Sequence, residues 1–172
     1  MRKFLSLIVA ALAVVAMPST ALAAVNVKSL PTATFSGPTV TLTGGNFSGL
    51  GSVPAIATLT VQGSATYTCT NQGGNASPGQ NPVPAQPGSA NQDLGNADHN
   101  GRGTITDLTA SVTAGPTPTP QQVGCGGGGS NNWTVTLNTL TATSAHLVIT
   151  QSGSIIFCRN YTLGGPATGT TC

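Results

Sequence analysis

The most constraining feature of this chain is a strict alternation of apolar and polar residues over thirteen positions, from Ala57 to Cys69. Every second residue is apolar or small, and the residues between them are Thr, Ser or Gln. Successive side chains of a β-strand point to opposite faces of a sheet, so this period predicts a strand with one buried face. The pattern fits one long strand or two strands that meet at a bend near Gly63. Either arrangement places Cys69 on the buried face.

Two shorter alternating runs precede this stretch. Thr32–Phe35 and Thr39–Thr43 are predicted strands, and the turn residues Ser36-Gly37-Pro38 stand between them. In the second run, Val40 and Leu42 face one way and the threonines face the other. This pair of strands is therefore expected to bury one face and to expose hydroxyl groups on the other.

The segment from residue 71 to residue 101 is poor in apolar side chains and rich in Gly, Pro, Asn and Gln. A structureless loop of this length is unusual inside a compact domain, so we expect short irregular strands near Val83–Gln86 and Ala90–Leu94. Prolines favour positions at the edge of a sheet, because proline has no N–H to donate to a neighbouring strand.

Thr104–Ala114 is predicted as one strand. Alternate residues form its inward face, namely Leu108, Ala110, Val112 and Ala114. Ile105 is out of phase with them, so we expect a β-bulge near Thr106-Asp107. The G-P-T-P-T-P run over Gly115–Pro120 is predicted as an extended, exposed linker.

The last third of the chain alternates again. Val135 and Leu137 are predicted to face inward, and the phase of the pattern slips around Asn138-Thr139. The inward residues of a further strand are Ala145, Leu147 and Ile149. Residues 151–154 are predicted to turn the chain, and residues 155–163 to return as the hairpin partner.

These patterns predict seven or eight short strands, with turns about every ten residues and no convincing helix. The predicted fold class is all-β, an antiparallel β-sandwich with an immunoglobulin-like arrangement as one variant. A small β-barrel is the second architecture.

Residues 1–23 have the parts of a secretory signal peptide. Arg2 and Lys3 supply the positive start, and an apolar stretch runs from Phe4 to Met17. The small residues of Ala21-Leu22-Ala23 are those that signal peptidase accepts before its cut. The apolar stretch is too short for a transmembrane helix, which needs about 20 residues. We expect cleavage after Ala23, one domain over residues 24–172, and a product secreted to the cell surface or the medium.

The predicted mature chain is electrically balanced. The formal charge of +2 belongs to Arg2 and Lys3 in the leader. Three basic and three acidic residues remain, which are Lys28, Arg102, Arg159, Asp93, Asp98 and Asp107. This balance excludes a basic surface for nucleic acid, and it excludes a polybasic patch for anionic membranes.

All four cysteines lie in the predicted exported part, at positions 69, 125, 158 and 172. An even number in an oxidising compartment indicates two disulfides. Of the three possible pairings we favour Cys69–Cys125 with Cys158–Cys172, because the second bond would hold a glycine-rich tail. A metal site is disfavoured, since there is no C-x-x-C pair and the histidines lie far from the cysteines in sequence.

Side chains suited to catalysis are few. A glycosidase needs two opposed carboxyl groups, but Asp93 and Asp98 both lie in turn-like sequence. No G-x-S-x-G motif supplies a nucleophile for His99 or His146. The run from Asp98 to Gly101 lacks the remainder of a calcium-binding loop, and the glycines at 126–129 lack the Lys-Ser/Thr of a phosphate-binding loop. We therefore predict a protein that is not an enzyme, with no cofactor and no metal ion.

Outward-facing threonines are the most distinctive predicted surface feature. T-x-T recurs, for example at Thr39-Thr41-Thr43 and Thr66-Thr68-Thr70. Such rows could face a polysaccharide, but threonine is also the β-forming residue that tolerates water best, and we prefer this plainer explanation. His146 is expected on the solvent face of its strand with Val148 and Thr150.

The stretch T-C-T-N-Q-G-G-N-A-S-P-G-Q over residues 68–80 resembles a T-C-T-N-x-G-G-N-x-x-P-G-Q stretch of uncharacterised exported bacterial β proteins. In those proteins a second cysteine precedes an N-W-T strand, as Cys125 precedes Asn132-Trp133-Thr134 here. The resemblance covers residues 57–140. It implies the Cys69–Cys125 pairing and carries no known activity or site.

The leading functional hypothesis is a secreted, non-catalytic structural or binding module of the cell surface or medium. Its candidate partners are a cell-wall or extracellular polymer or another protein. The alternative is a carrier of a small ligand, or an inhibitor that presents the 71–101 segment; it requires an apolar pocket or a rigid protruding loop. A hydrolase is the third hypothesis, and it requires His99 or His146 beside an aspartate in a cleft.

Overall fold

A computed structural model describes residues 25–95, 101–125 and 132–172 of the 172-residue chain. The predicted signal peptide, Asp98, His99 and the glycine run at 126–129 lie outside these ranges, so the predictions made for them stay predictions. Within the described ranges the regular structure is entirely β-strand, with no α-helix. None of the described residues belongs to an apolar helix long enough to cross a bilayer.

The described residues form thirteen strands. Two of them are long: β5 has 17 residues and β11 has 19. The bounds are β1 Asn26–Ser29, β2 Thr32–Ser36, β3 Thr39–Thr43, β4 Gly45–Ser48, β5 Ala55–Asn71, β6 Ala76–Pro78, β7 Val83–Pro84, β8 Gly88–Asp93, β9 Gly103–Ile105, β10 Leu108–Ser111, β11 Trp133–Gln151, β12 Ser154–Thr162 and β13 Thr170–Thr171.

The strands build three antiparallel sheets. Two sheets have three strands each, in the orders β1-β4-β9 and β10-β3-β2. The third has seven strands, with β13, β12 and β11 on one side of β5 and the short strands β6, β7 and β8 along its other edge. The all-β sandwich predicted from the sequence is confirmed. The immunoglobulin-like variant, which has sheets of four and three strands, is not confirmed by these strand orders.

The alternation of apolar and polar residues from Ala57 to Cys69 produces one continuous strand, β5. Leu59, Val61 and Cys69 are almost fully buried on its inner face, as predicted. Strand β11 pairs with β5 along its whole length, and its register shifts twice, at Asn138 and at Thr143. Each shift inserts one extra residue into β11, and such bulges increase the local bend and twist of a sheet.

The main core lies between the inner face of the seven-stranded sheet and the two small sheets. Its buried members come from all three sheets, including Val40 and Leu42 of β3, which face inward as predicted. Burying side chains of this size contributes about 1.5–3 kcal/mol each. Phe47 of β4 meets Phe157 of β12 edge to face, with ring centroids 5.0 Å apart, so the aromatic pair joins a small sheet to the large one.

A second, smaller core lies under the far end of β5. Its buried residues are Ala65, Tyr67, Cys69, Val123 and Cys125. The Cys69–Cys125 disulfide crosses this cluster, and Cys69 is 1% exposed. The bond therefore fastens the turn at residues 120–124 to the long strand.

Residues 71–95 run along one edge of β5 as three successive short strands. β6 pairs with residues 68–70, β7 with residues 64–65 and β8 with residues 56–61. Strands β7 and β8 lie close to the two positions predicted from the sequence. Pro78 and Pro84 occupy this edge, in agreement with the predicted role of proline.

The single strand predicted over Thr104–Ala114 is wrong. Residues 103–105 belong to the β1-β4-β9 sheet, whereas residues 108–111 belong to the β10-β3-β2 sheet. The chain changes sheets at Asp107, whose φ of 49° breaks the extended backbone. Ile105 was out of phase because it points into the core from a different sheet. The strand ends at Ser111, and Ala114 is exposed.

Two smaller expectations also differ from the structure. Leu137 lies opposite Tyr67 but is 42% exposed, because it stands next to the bulge at Asn138. The predicted phase slip at Asn138-Thr139 is the same bulge and is confirmed. In the linker, Pro118 is buried and not exposed.

The predicted hairpin after Gln151 is confirmed, with positive φ at Ser152 and Gly153 as a two-residue type I′ turn requires.

Tyr161 of β12 should make the fold less stable at alkaline pH. Its ring is 1% exposed, and its hydroxyl group donates a hydrogen bond to the carbonyl of Pro31 at 3.3 Å. Burial raises the pKa of Tyr161 from 10.0 to about 12, and the nearby Arg159 guanidinium partly opposes this shift. A raised pKa means that the folded state holds its proton more tightly than the unfolded state does.

We expect the contribution of Tyr161 to be complete below pH 10 and to be lost as the pH rises towards 12. Urea unfolding on both sides of pH 10 should show the free energy of unfolding falling with pH, by up to about 1 kcal/mol over the first pH unit. Tyr161→Phe removes the ionisable group, so this variant should show a flatter profile. An equally steep profile in the variant would contradict the assignment.

Candidate functional site

The outer face of the seven-stranded sheet is the side turned away from the core, and it carries a regular array of polar side chains. The register aligns them in rows that cross β5, β11 and β12. One row holds Thr58, Val148 and Cys158; the next holds Thr60, His146 and Asn160; the third holds Gln62, Ser144 and Thr162. Because strands are rigid, these side chains are held at fixed spacings.

A groove of about 390 Å³ lies across these rows. Its polar lining consists of Thr60, Gln62, Ser144, His146, Asn160 and Thr162. The bulge at Thr143, where the register between β11 and β5 shifts, lies at one end of it. Of the eight residues that line the groove, only His146 and Tyr161 are titratable, and burial keeps the Tyr161 phenol neutral by raising its pKa to about 12.

His146 is held in one orientation by its cross-strand neighbour. Its Nδ1–H donates a hydrogen bond of 2.7 Å to the Oδ1 of Asn160. This bond selects the tautomer whose lone pair is on Nε2. That Nε2 atom lies 3.8 Å from the Sγ of Cys158. The solvent-facing position predicted for His146 is confirmed, since the side chain is exposed.

The Cys158–Cys172 disulfide lies beside the imidazole. Arg159 pairs with Thr171 and Asn160 with Thr170, and the same antiparallel register extended by one residue sets Cys172 opposite Cys158. The bond closes a segment of 14 residues and lies on the outer face, where Cys158 is half-buried and Cys172 is exposed. Both disulfides join the cysteines whose pairing was predicted from the sequence.

The described aspartates are not near His146. Asp93 shares a cross-strand row with Ile56 and Thr150, and its Oδ1 accepts a hydrogen bond from the backbone N–H of Gly95 at 2.8 Å. Two strand spacings and four residues of rise separate its backbone from that of His146, which amounts to roughly 17 Å. Asp107 is exposed in the turn between β9 and β10. His146 therefore has an amide and a disulfide as its neighbours.

Sequence reasoning missed the partnership of His146, Asn160 and the Cys158–Cys172 bond. A hairpin signal at residues 151–154 pointed to these two strands as neighbours, but it did not give their register. Strand β12 has one extra residue at Ile156, and this bulge sets His146 opposite Asn160. No protein-family model, curated protein or solved structure matches this chain.

Proposed function

We propose that this protein is a secreted, non-catalytic module that binds a neutral, hydroxyl-rich extracellular polymer through the outer face of its seven-stranded sheet. The observation that carries the proposal is the groove of about 390 Å³, whose polar lining is built from hydroxyl, amide and imidazole groups without a carboxylate or an ammonium group. Such groups donate and accept hydrogen bonds with sugar hydroxyls in both directions.

Threonine is common on exposed strands, but the rows that share the outer face with the groove support binding of a polymer. Thr66 and Thr139 share a hydrogen bond of 2.6 Å between their hydroxyl oxygens, on the same outer face as the groove. Threonine has a stiff χ1 angle, and a strand holds it at a regular spacing. Little side-chain entropy is therefore lost when a ligand binds, which favours contacts repeated along an extended chain.

Two features support the extracellular assignment. Residues 1–23 have the composition of a signal peptide. The two disulfides are compatible with an oxidising compartment outside the cytoplasm. The balanced charge of the predicted mature chain agrees with a neutral ligand better than with an acidic or basic one.

The two other hypotheses have weaker support. An inhibitor would present the 71–101 segment as a protruding loop, whereas the described residues 71–95 lie along the edge of β5. A hydrolase would need an acid or base beside His146, whereas the described neighbours of His146 are Asn160 and a disulfide. Both observations favour the binding module.

Binding to insoluble polymers tests the proposal directly. The purified protein should sediment with polysaccharide or wall material from producing cells, and sedimentation should change little with salt, because the groove lining holds no carboxylate, ammonium or guanidinium group. Thr60→Lys places a long cation in the groove and should weaken the binding by about tenfold or more, equivalent to about 1.4 kcal/mol.

Thr41→Lys is the matched control. Thr41 is also a half-buried threonine in the middle strand of a sheet, and it faces outward from the β10-β3-β2 sheet, where it shares a hydrogen bond of 3.0 Å with Thr109. This variant should bind as the wild type does. Equal weakening by both substitutions, or no retention on any neutral polymer, would refute the proposed site.

A further inference from the structure

Three potential metal ligands meet on the outer face, at one end of the groove. The ligand atoms of His146, Cys158 and Cys172 all lie within 4.8 Å of one another. In the oxidised protein the two sulfurs are bonded to each other and cannot serve as thiolate ligands. The arrangement acquires a second chemistry only when that bond is broken.

We propose that reduction of the Cys158–Cys172 disulfide converts this cluster into a binding site for a thiophilic divalent cation of the Zn²⁺ class. The two thiolates and the Nε2 atom of His146 are the ligands, and the fourth position is open to water. This site is independent of the proposed polymer binding and does not require it.

The distance between Cys158 and His146 in the oxidised protein already suits such a site. Zn–S bonds are about 2.3 Å and Zn–N bonds about 2.0–2.1 Å, so ligand atoms in a tetrahedral site lie roughly 3.5–3.8 Å apart. The Nε2 of His146 is 3.8 Å from the Sγ of Cys158. The Sγ of Cys172 lies 3.8 Å from the Nδ1 of the same ring, so the two sulfurs must separate to a non-bonded distance and Cys172 must move towards Nε2.

The tail that carries Cys172 can permit this change and still stay in place. Strand β13 has two residues and lies at the edge of the sheet, so the sulfur of Cys172 can shift. The rest of the tail is held without the disulfide. The backbone N–H of Ala33 donates to the carbonyl of Ala167 at 2.8 Å, and the Arg159 guanidinium donates to the carbonyl of Gly169 at 3.3 Å. Gly169 also packs closely against the ring of Tyr161.

Asn160 prepares the imidazole for coordination. Its Oδ1 accepts the Nδ1–H of His146, which leaves the lone pair on Nε2, the atom near Cys158. Ligand histidines in metalloproteins nearly always donate their other N–H to a neighbouring acceptor in this way. His146 and Cys172 are exposed, so a cation and a water ligand can reach the site.

The reaction balances with a dithiol as the reductant. The dithiol transfers two electrons and two protons to the Cys158–Cys172 bond and becomes a disulfide, and the protein bond breaks to give two thiols. Binding of the cation then releases two protons as the thiols become thiolates. Cys69 and Cys125 are buried in the second core. His146, the histidine that the structure describes, is adjacent to the Cys158–Cys172 pair.

The test uses the whole protein, reduced with a dithiol that is then removed without oxygen. Co²⁺ is the spectroscopic probe, because thiolate coordination gives charge-transfer absorption and a tetrahedral site gives intense visible bands. We expect one Co²⁺ per reduced molecule, displacement by Zn²⁺, and no such bands from the oxidised protein. Bound Zn²⁺ should also protect Cys158 and Cys172 from alkylation, as mapped by mass spectrometry, and should leave the alkylation rate of any reduced Cys69 and Cys125 unchanged.

Variants separate this site from adventitious thiol binding. Cys158→Ser with Cys172→Ser should abolish the bands even when the other two cysteines are reduced. His146→Ala should weaken the affinity by about 100-fold, and Asn160→Ala by about 10- to 100-fold. Thr60→Ala, one residue across the same row, should leave the affinity unchanged. The proposal is overturned if the reduced wild type binds no cation, or if the double serine variant or His146→Ala binds as tightly as the wild type.

Discussion

Gly88→Ala is expected to destabilise the protein by about 3 kcal/mol, at the upper end of the usual cost of overpacking. Gly88 begins strand β8, and its backbone lies directly against the backbone of Ser111 at the end of β10. A Cβ atom at position 88 would collide with the carbonyl of Ser111. Because this neighbour is backbone, no side-chain rotation can relieve the collision.

The collision would occur where strand β8, at the edge of the seven-stranded sheet, packs against strand β10 of a small sheet. Next to it, Gln86 and Thr113 exchange two backbone hydrogen bonds, of 2.9 and 3.1 Å, which link the edge of the large sheet to the segment that follows β10. Moving β8 away from β10 would strain both bonds. Urea unfolding should therefore show a lower midpoint, and native-state hydrogen exchange should show faster exchange at Gln86 and Thr113.

Gly115→Ala is the control for this prediction. A Cβ atom at position 115 would meet only the Cγ of Gln86, at 3.8 Å, which is an ordinary contact. Its effect on the free energy of unfolding should be within about 0.5 kcal/mol. If Gly88→Ala were as mild as Gly115→Ala, the close contact between β8 and β10 would not exist in solution.

Removal of the Cys69–Cys125 bond by alanine substitution at both positions is expected to cost about 4 kcal/mol. The bond spans 56 residues, and the loop-entropy relation gives about this value for such a span. The sulfurs also fill the middle of the second core, so alanine leaves a cavity beneath Tyr67 and Val123. The expected consequence is local loss of structure in the segment that ends at Cys125, along with lower global stability.

The second disulfide supplies the comparison. Cys158→Ala with Cys172→Ala opens a span of 14 residues, for which the same relation gives about 3 kcal/mol, and it removes no core residue. Urea denaturation of both double variants, with hydrogen exchange near Val123, distinguishes the two bonds. A smaller loss for the Cys69 and Cys125 pair than for the exposed pair would contradict the role given to the second core.

Much of the strand structure followed from local pattern. The thirteen-residue alternation predicted β5 and its buried face, and Cys69 lies on that face. The hairpin from β11 to β12 followed from its turn residues. These predictions succeeded because the face of a strand to which a residue belongs depends only on alternate positions along one segment of chain.

Prediction failed where partners distant in sequence decide the outcome. Residues 104–114 show one apolar pattern with a single defect, and that defect is the point where the chain leaves one sheet for another. Leu137 has the right phase to face inward, but the adjacent bulge in β11 leaves it 42% exposed. In both cases the residues alternate as predicted, but pairing with the neighbouring strands determined to which sheet and face they belong.

The candidate metal site shows most clearly that strand register, and not the local pattern alone, decides which side chains meet. Without the bulge at Ile156, the hairpin register would set Cys158 opposite Leu147, on the inner face of the sheet. The extra residue shifts the register by one, so that Cys158 and Asn160 both reach the outer face beside His146. The sequence by itself determined which residues alternate and that the four cysteines could pair, but it predicted seven or eight strands where the described residues form thirteen. Only the tertiary structure decided which side chains meet, because register depends on bulges and on pairing between distant segments, and a pattern with a period of two does not encode either.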